Sequence, residues 1–470
     1  MTKVQSTIDF TPVLAYNIPI SFLGVNMSNQ FEKYSNTFAK MIQCPTVSSS
    51  GAEYFDKFQQ VLKEEFPLVF SNLEVFYPGK DKDSESRAIL LKWKGKSDRR
   101  PMVLMAHQDV VPASPENWKY DPYGGTLEDG KIWGRGAMDC KNTLFITINA
   151  VEELIAEGFV PEHDVYLSYS DCEENSGMGA PYAVEWFKDH DVHPVVAVDE
   201  GGAIVENAFP GMKMPFAMVG IMEKGYADVR FTAHSKGGHS SSPPNNTPLA
   251  RLGAFIDYCE THVLFKRSMS KPALQMLKGV STGLGGPLKF ITKHAKGFAP
   301  LIVKALPMIT PFGKALLGTT MVFTMAEASD APNVIPQSAS VVANLRFGPG
   351  DKSADCIAKL TDLAKKYDLE VEVLTCREHS AFVDTECDEY KHFVDTMREC
   401  FPEIGISPYL MFGGTDCRHM QTIVPCAIRC TPCRLNPQQL ASMHASDENI
   451  DVQSLIDGTA FFKKFISNFK

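Results

Sequence analysis

MAHQDVVPASPENWKYDPYGGTLEDGKIWGRGAMDCK, residues 105–141, sets His107 and Asp139 each at the end of an apolar or glycine-rich run. The run before His107, Met102-Val103-Leu104-Met105, has the continuous apolar character of a buried strand. Ala88 to Trp93 forms another such run upstream. After Asp139, the residues Leu144, Ile148, Val151, Leu154 and Ile155 recur at helical spacing, and Gly158 and Pro161 close that helix. Asp164 to Leu167 and Pro194 to Val198 read as the next strands, and residues 52–66 as an earlier helix. Strands alternating with helices predict an α/β domain with a mostly parallel sheet. In such sheets the functional side chains gather at the carboxyl ends of the strands, where His107, Glu173, Glu174 and Asp199 all fall.

The texture changes near residue 222. Ala227, Val229, Phe231 and Ala233 alternate with polar residues, as do Ala339, Val341, Ala343, Leu345 and Phe347. This is the signature of half-exposed strands. Helical stretches near 247–262 and 353–367, and a further strand at Val371 and Val373, complete a smaller α+β unit. The expected organisation is a first part of one domain over 1–221, an inserted unit over 222–378, and a return to the first domain over 379–470. Residues 265–325, rich in Gly, Pro and Met, read as a segment folding over a cleft or an interface.

A chain of 470 residues needs more than one core. Its net charge of −10 argues against nucleic acid and against anionic membrane surfaces as main partners. The N-terminal thirty residues are broken by Asp9, Pro12, Asn17 and Pro19, so no signal peptide is expected. No apolar stretch reaches the roughly 18–20 residues of a membrane span. Twelve cysteines in so long a chain are not a disulfide scaffold, so reduced thiols and a cytoplasmic location are expected. Cys426, Cys430 and Cys433 lack a clear fourth ligand and read as structural.

Two imidazoles, His107 and His444, and the acidic pairs Glu173-Glu174 and Asp199-Glu200 are what two divalent ions need. A hydrolytic pair of ions sits about 3.5–4 Å apart, bridged by a carboxylate. Asp139 is the natural bridge, being short and set after Gly134 and Gly136, which let the backbone approach closely. Imidazole and carboxylate donors without cysteine suit zinc, with cobalt or manganese as alternatives. Asp109, two residues after His107, can hold the imidazole in one tautomer. Of the neighbours Glu173 and Glu174, one can bind metal while the other acts as general base.

The ordered set HQDVVP, DGKIWGRGAMDCK, DCEENSGMG, VDEGG, GGHSSSP, NVIP, GGTDCR and MHASDE resembles the carboxypeptidase S / aminoacylase family of dinuclear zinc hydrolases, from about residue 30 to the C-terminus. The nearest branch contains carboxypeptidase S and the N-acyl amino acid hydrolases. The resemblance implies a catalytic domain carrying a lid that also dimerises. It makes His107 a ligand of one ion, Asp139 the bridge, Glu173 the general base, and Glu174 and His444 ligands of the second ion. Asp109 matches the orienting aspartate. The fifth ligand lies in VDEGG, where neighbouring side chains point oppositely. Motif match prefers Asp199, with Glu200 the alternative. His239 in GGHSSSP matches an oxyanion-stabilising residue that commonly comes from the partner subunit, and Asn333 matches a lid residue that meets substrate.

Arg418 in GGTDCR is the foremost candidate for gripping a substrate carboxylate through its planar fork, with Gly414 allowing close approach. A structural salt bridge to Asp416 or another acid is the plainer role for Arg418. Arg346 is a weaker candidate, and Glu448 is either a support for the site or a cap of the following helix. The expected activity is metal-dependent hydrolysis of an amide whose nitrogen belongs to an amino acid with a free carboxylate. The main form is a carboxypeptidase on short peptides and the alternative an N-acyl amino acid amidohydrolase. A non-catalytic metal- or peptide-binding protein is the rival of another class, and an intact Glu173 argues against it. The expected partners are two zinc ions, a small substrate and a second copy through the lid.

Overall fold

The computed structural model describes residues 24–470 apart from 84, 207, 209, 210 and 213, with side chains from residue 29 onward. The N-terminal stretch on which the signal-peptide expectation rests lies mostly outside these residues.

A ten-stranded mixed sheet forms the first layer. Its strands run in the spatial order 74–76, 89–93, 163–170, 97–107, 196–199, 426–429, 216–223, 204–205 and 434–435, with 405–411 also pairing 216–223. The four central strands, 163–170, 97–107, 196–199 and 426–429, are mutually parallel and largely buried. Their carboxyl ends therefore meet along one edge. Antiparallel pairing begins where 89–93 meets 163–170 and where 216–223 meets 426–429.

Helix Lys141–Ala156 was expected to bury one face, yet it is buried almost all round. The sheet, the first helix Gly24–Ile42 and the last helix Val452–Asn468 enclose it. Phe145 takes edge-on contacts from Tyr34, Phe38 and Phe66. The N-terminal and C-terminal helices thus clamp the element that follows the Asp139 loop.

The second layer is a four-stranded antiparallel sheet in the order 320–327, 338–347, 225–234 and 370–377. Helices Pro248–Thr261 and Ser353–Lys365 cover one face. Ala227, Val229, Phe231 and Ala233 pack there with Phe255 and Leu360 in a separate core. The edge strand Thr320–Glu327 was not anticipated as a strand. Every side chain on it is half-buried or exposed, so it lacks the clean alternation of its neighbours.

Residues 271–317 fold as four short α-helices and one 3₁₀ turn, Ser281–Gly283. Ala273, Met276, Leu277, Val280, Ile302, Leu316 and Leu317 join the core of the large sheet rather than that of the small one. Helix Lys271–Val280 lies on strand Gly405–Met411, where Ser407 Oγ donates to the Met276 carbonyl at 3.1 Å.

Candidate metal centre

His107 ends the Ser97–His107 strand and is 1% exposed. Its Nδ1 lies 2.9 Å from the Asp109 carbonyl and 3.3 Å from the Asp109 carboxylate. Nε2 is thereby left for the site, 3.0 Å from Asp139 Oδ1 and 3.8 Å from Glu200 Oε1. On the other side, His444 Nε2 lies 3.0 Å from Asp139 Oδ2 and 3.2 Å from Glu174 Oε2. Two donor clusters result. His107, Asp139 and Glu200, with the Cys140 thiol close by, form one, and Asp139, Glu174 and His444 form the other. Asp139 gives one oxygen to each.

Glu200, the alternative, is the acid brought into the first cluster. The preference for Asp199 is corrected by the orientation of its carboxylate, which accepts the Glu200 N–H at 2.9 Å and the Cys417 N–H at 2.8 Å. Both Asp199 oxygens are engaged in holding backbone at the strand end.

The electrostatics of this group call for cations. Burial and the neighbouring Asp139 push Glu200 well above the usual carboxylate range. Burial, Asp416 and Asp139 do the same to Glu173. Hydrogen bonds to Asp139 and Glu174 raise His444 to about 10. Burial opposes ionisation of Asp139, but His107 and His444 overcome it and hold the group far below the normal value. Glu174 Oε1 is buried with no hydrogen-bond partner. An orphaned carboxylate oxygen beside an imidazole is costly unless a cation meets it. The donor set, nitrogen and oxygen around a shared aspartate, fits a pair of divalent ions.

Asp109 does more than orient His107. Its oxygens accept the N–H groups of Glu173 and Glu174, each at 3.1 Å, and the Ser48 hydroxyl at 2.7 Å. Glu448 supports the Asp139 loop in the same manner. Oε1 accepts the Met138 and Asp139 N–H groups at 2.7 and 3.1 Å, while Oε2 accepts Gly136 N–H at 3.1 Å and Arg135 Nη1 at 2.7 Å. It makes no cap for the helix beginning at Val452. Gly136 is needed for a different reason from the one expected. At φ +87°, a Cβ there would meet Val110 Cγ1 at 2.7 Å, so the crowding is with the core and not with the ion site.

Glu173 is free of both donor clusters and sits 3.7 Å from Arg418 Nη1. Arg418 donates to the Thr415 carbonyl at 2.6 Å and makes no ion pair with Asp416, whose carboxylate instead accepts the Ser170 hydroxyl at 2.5 Å. Arg377 was missed. It ends the lid strand Glu370–Arg377, forms no ion pair among the described residues, and packs so close to Gly414 that a Cβ there would lie 2.8 Å from its Nη2. Arg346, Tyr226 and Arg377 form one row across three lid strands, with both guanidiniums over the Tyr226 ring at 4.6 and 4.8 Å. An arginine at a strand end just before the chain leaves the lid was the available signal. His239 lies on a two-stranded ladder, Gly238–His239 against Val334–Ile335, and Asn333 in the turn just before it, both side chains exposed. His239 bonds Ser241, and neither residue bonds to the donor clusters.

An apolar cavity of about 240 Å³ opens beside the donors. Met138 and Glu200 line it together with Ala203, Val205, Met218, Met276, Phe312 and Leu435. Arg377, Arg418 and Gly414 are not among its walls.

Fold and site together define a hydrolase of the two-domain metallopeptidase kind. The chain belongs to peptidase family M20/M25/M40, whose model matches residues 103–468. It is 29% identical over 436 residues to the N-fatty-acyl-amino acid synthase/hydrolase PM20D1 of Mus musculus, covering 91% of this chain and 86% of that protein. It is 27% identical over 443 residues to the probable carboxypeptidase S-like 2 of Dictyostelium discoideum, covering 92% and 84%. Among solved structures it resembles the metallo-carboxypeptidase Sso-CP2 of Sulfolobus solfataricus, with TM-score 0.69, 14% identity and coverage of 92% of this chain and 98% of that one. Human carnosine dipeptidase 1 matches with TM-score 0.66, 16% identity and coverage of 94% and 96%.

Proposed function

We propose that the protein hydrolyses N-acyl amino acids with an apolar acyl group, at a centre of two zinc ions held by His107, Asp139, Glu200, Glu174 and His444. The observation that carries the reading is Asp139, with one carboxylate oxygen 3.0 Å from each imidazole, beside an unpartnered Glu174 oxygen. When bound, the ions supply a water acidic enough to ionise near neutral pH and a Lewis acid for the amide carbonyl. Glu173, raised by burial and by its acidic neighbours, takes the proton of the attacking water and returns it to the leaving amine nitrogen.

Arg377 and Arg418 grip the amino acid carboxylate beside Gly414, two guanidiniums on the Glu173 side of the site. The apolar cavity then receives the other end of the substrate, since none of these anchors lines it. The names of the relatives, a fatty-acyl amino acid hydrolase and a carboxypeptidase, support both forms of the acyl side. The cavity favours an aliphatic chain, and a peptide with a bulky apolar residue there is the second reading. His239 serves a second copy's site, docked through the lid, where the Thr320–Glu327 edge strand leaves Val322 and Met325 exposed. In this reading the lid spans 222–378, with the helices of 271–317 annexed by the catalytic core. Twelve unpaired thiols support a reducing, cytoplasmic setting.

Side-by-side hydrolysis of fatty-acyl amino acids and of dipeptides by the zinc-loaded protein tests this. Preference for the acyl series, lost when the carboxylate is amidated, is the expected result. Equal turnover of the amidated compounds refutes the anchor, and preference for small polar dipeptides refutes the acyl cavity.

A further inference from the structure

The net charge of −10 conceals a segment of opposite sign. From Thr261 to Ala326 there is no aspartate or glutamate, but there are eight lysines and Arg267. Within this segment Lys289, Lys293, Lys296, Lys304 and Lys314 are exposed, and none joins an ion pair among the described residues.

The helices of the segment also expose apolar side chains. Helix Ala299–Ile309, APLIVKALPMI, is apolar all round apart from Lys304. Such a helix belongs in a buried setting. One side is covered, because Ile302 is buried and Val303 and Leu306 pack on the main core. The other side is bare. Leu301, Lys304 and Met308 share it at helical spacing, with Leu301 55%, Met308 81% and Ile309 78% exposed. The preceding helix Gly286–Lys293 buries no residue and shows Leu288 and Phe290 beside Lys289 and Lys293.

A two-fold contact with a second copy would set this face against itself and oppose lysine to lysine. An anionic surface answers both features. We propose that the face formed by residues 286–309 docks onto an anionic phospholipid bilayer, with Leu301, Met308 and Ile309 entering the headgroup boundary and the lysines meeting lipid phosphates. No helix among the described residues is long and apolar enough to cross a membrane, so the contact is peripheral. It does not depend on which amide the enzyme cleaves. The segment also supplies Met276 and Phe312 to the apolar cavity, so docking brings that cavity near the source of any lipid-soluble substrate.

Vesicle flotation of the full chain tests the proposal. Vesicles of phosphatidylcholine alone are compared with vesicles that also contain phosphatidylserine. Capture by the anionic vesicles only is expected, weakening with salt. A Lys289→Glu/Lys293→Glu/Lys304→Glu variant should lose about fivefold per lysine changed, from about 1 kcal/mol for each basic residue near such a surface. Met308→Ser/Ile309→Ser should also weaken capture, with thermal midpoint and turnover of a water-soluble substrate unchanged. Absence of capture, equal capture by neutral vesicles, or capture indifferent to both variants overturns it. So does sedimentation showing that Met308→Ser/Ile309→Ser converts a dimer to a monomer, because a second copy would then be what covers the face.

Discussion

Replacing Glu448 by Gln tests how the bridging aspartate is held. The side chain keeps its size, but one oxygen becomes an NH₂ group. Each Glu448 oxygen accepts two donors, the Met138 and Asp139 N–H groups on one side and Gly136 N–H with the Arg135 guanidinium on the other. Whichever way the amide turns, two donors face a donor. Hydrogen bonds to a charged acceptor contribute about 1.5–3 kcal/mol each. Removing one partner of a buried ion pair costs about 3–5 kcal/mol. Arg135 is 3% exposed and Glu448 fully buried, so solvent replaces little. A loss of about 3–5 kcal/mol is therefore expected, and a zinc affinity lower by about 10- to 100-fold, as for other outer partners of metal ligands. Urea melts and zinc retention against a graded chelator measure the two effects. A Glu448→Gln protein that matches the parent in both would refute the argument that this carboxylate sets the Asp139 loop.

Glu173→Gln should lower turnover by about 10²–10⁴-fold while zinc content stays near that of the parent, as a proton carrier outside the donor clusters requires. Glu200→Ala should strip one ion. Asp199→Ala should instead cost about 2–4 kcal/mol of stability through its two lost backbone partners, with better retention of metal. Arg377→Ala should raise KM for carboxylate-bearing substrates by about 10- to 100-fold and leave carboxylate-free amides unaffected. Burial raises Asp416 to about 7. The folded state thus holds a proton there that the unfolded chain releases above about 4. That contribution is complete below about pH 4 and is lost as pH rises through about 7. Asp416→Asn should flatten the fall in stability of the metal-free protein between about pH 4 and 7, as read by urea midpoints.

Strand ends were the legible part of this chain. His107, Glu173 and the VDEGG acids follow apolar strand-like runs, and the four central strands bring their carboxyl ends together. The choice between Asp199 and Glu200 was not legible, because it depends on which side chain finds backbone donors. The Cys417 N–H that engages Asp199 lies 218 residues away in sequence. Arg377 escaped notice for a related reason. Its strand is an edge with little alternation, and its role follows from proximity to Gly414, which only the packing of lid on sheet creates. In the sequence, residues 265–325 read as a segment folding over a cleft or an interface, but composition alone cannot say which of two cores the helices of 271–317 join.

Asp109 ties three parts of the centre to one carboxylate: the His107 ring of one ion site, the Glu174 backbone of the other, and the Glu173 backbone that carries the base. In the proposed function, the two ion sites and the proton carrier therefore share a common mooring. A disturbance at Asp109 cannot be confined to one function, so graded tuning of a single ion's affinity must come from elsewhere, through Glu200 or His444. Such a centre should be gained and lost as a unit, and partial forms that keep one ion and normal chemistry should be rare among variants of this chain.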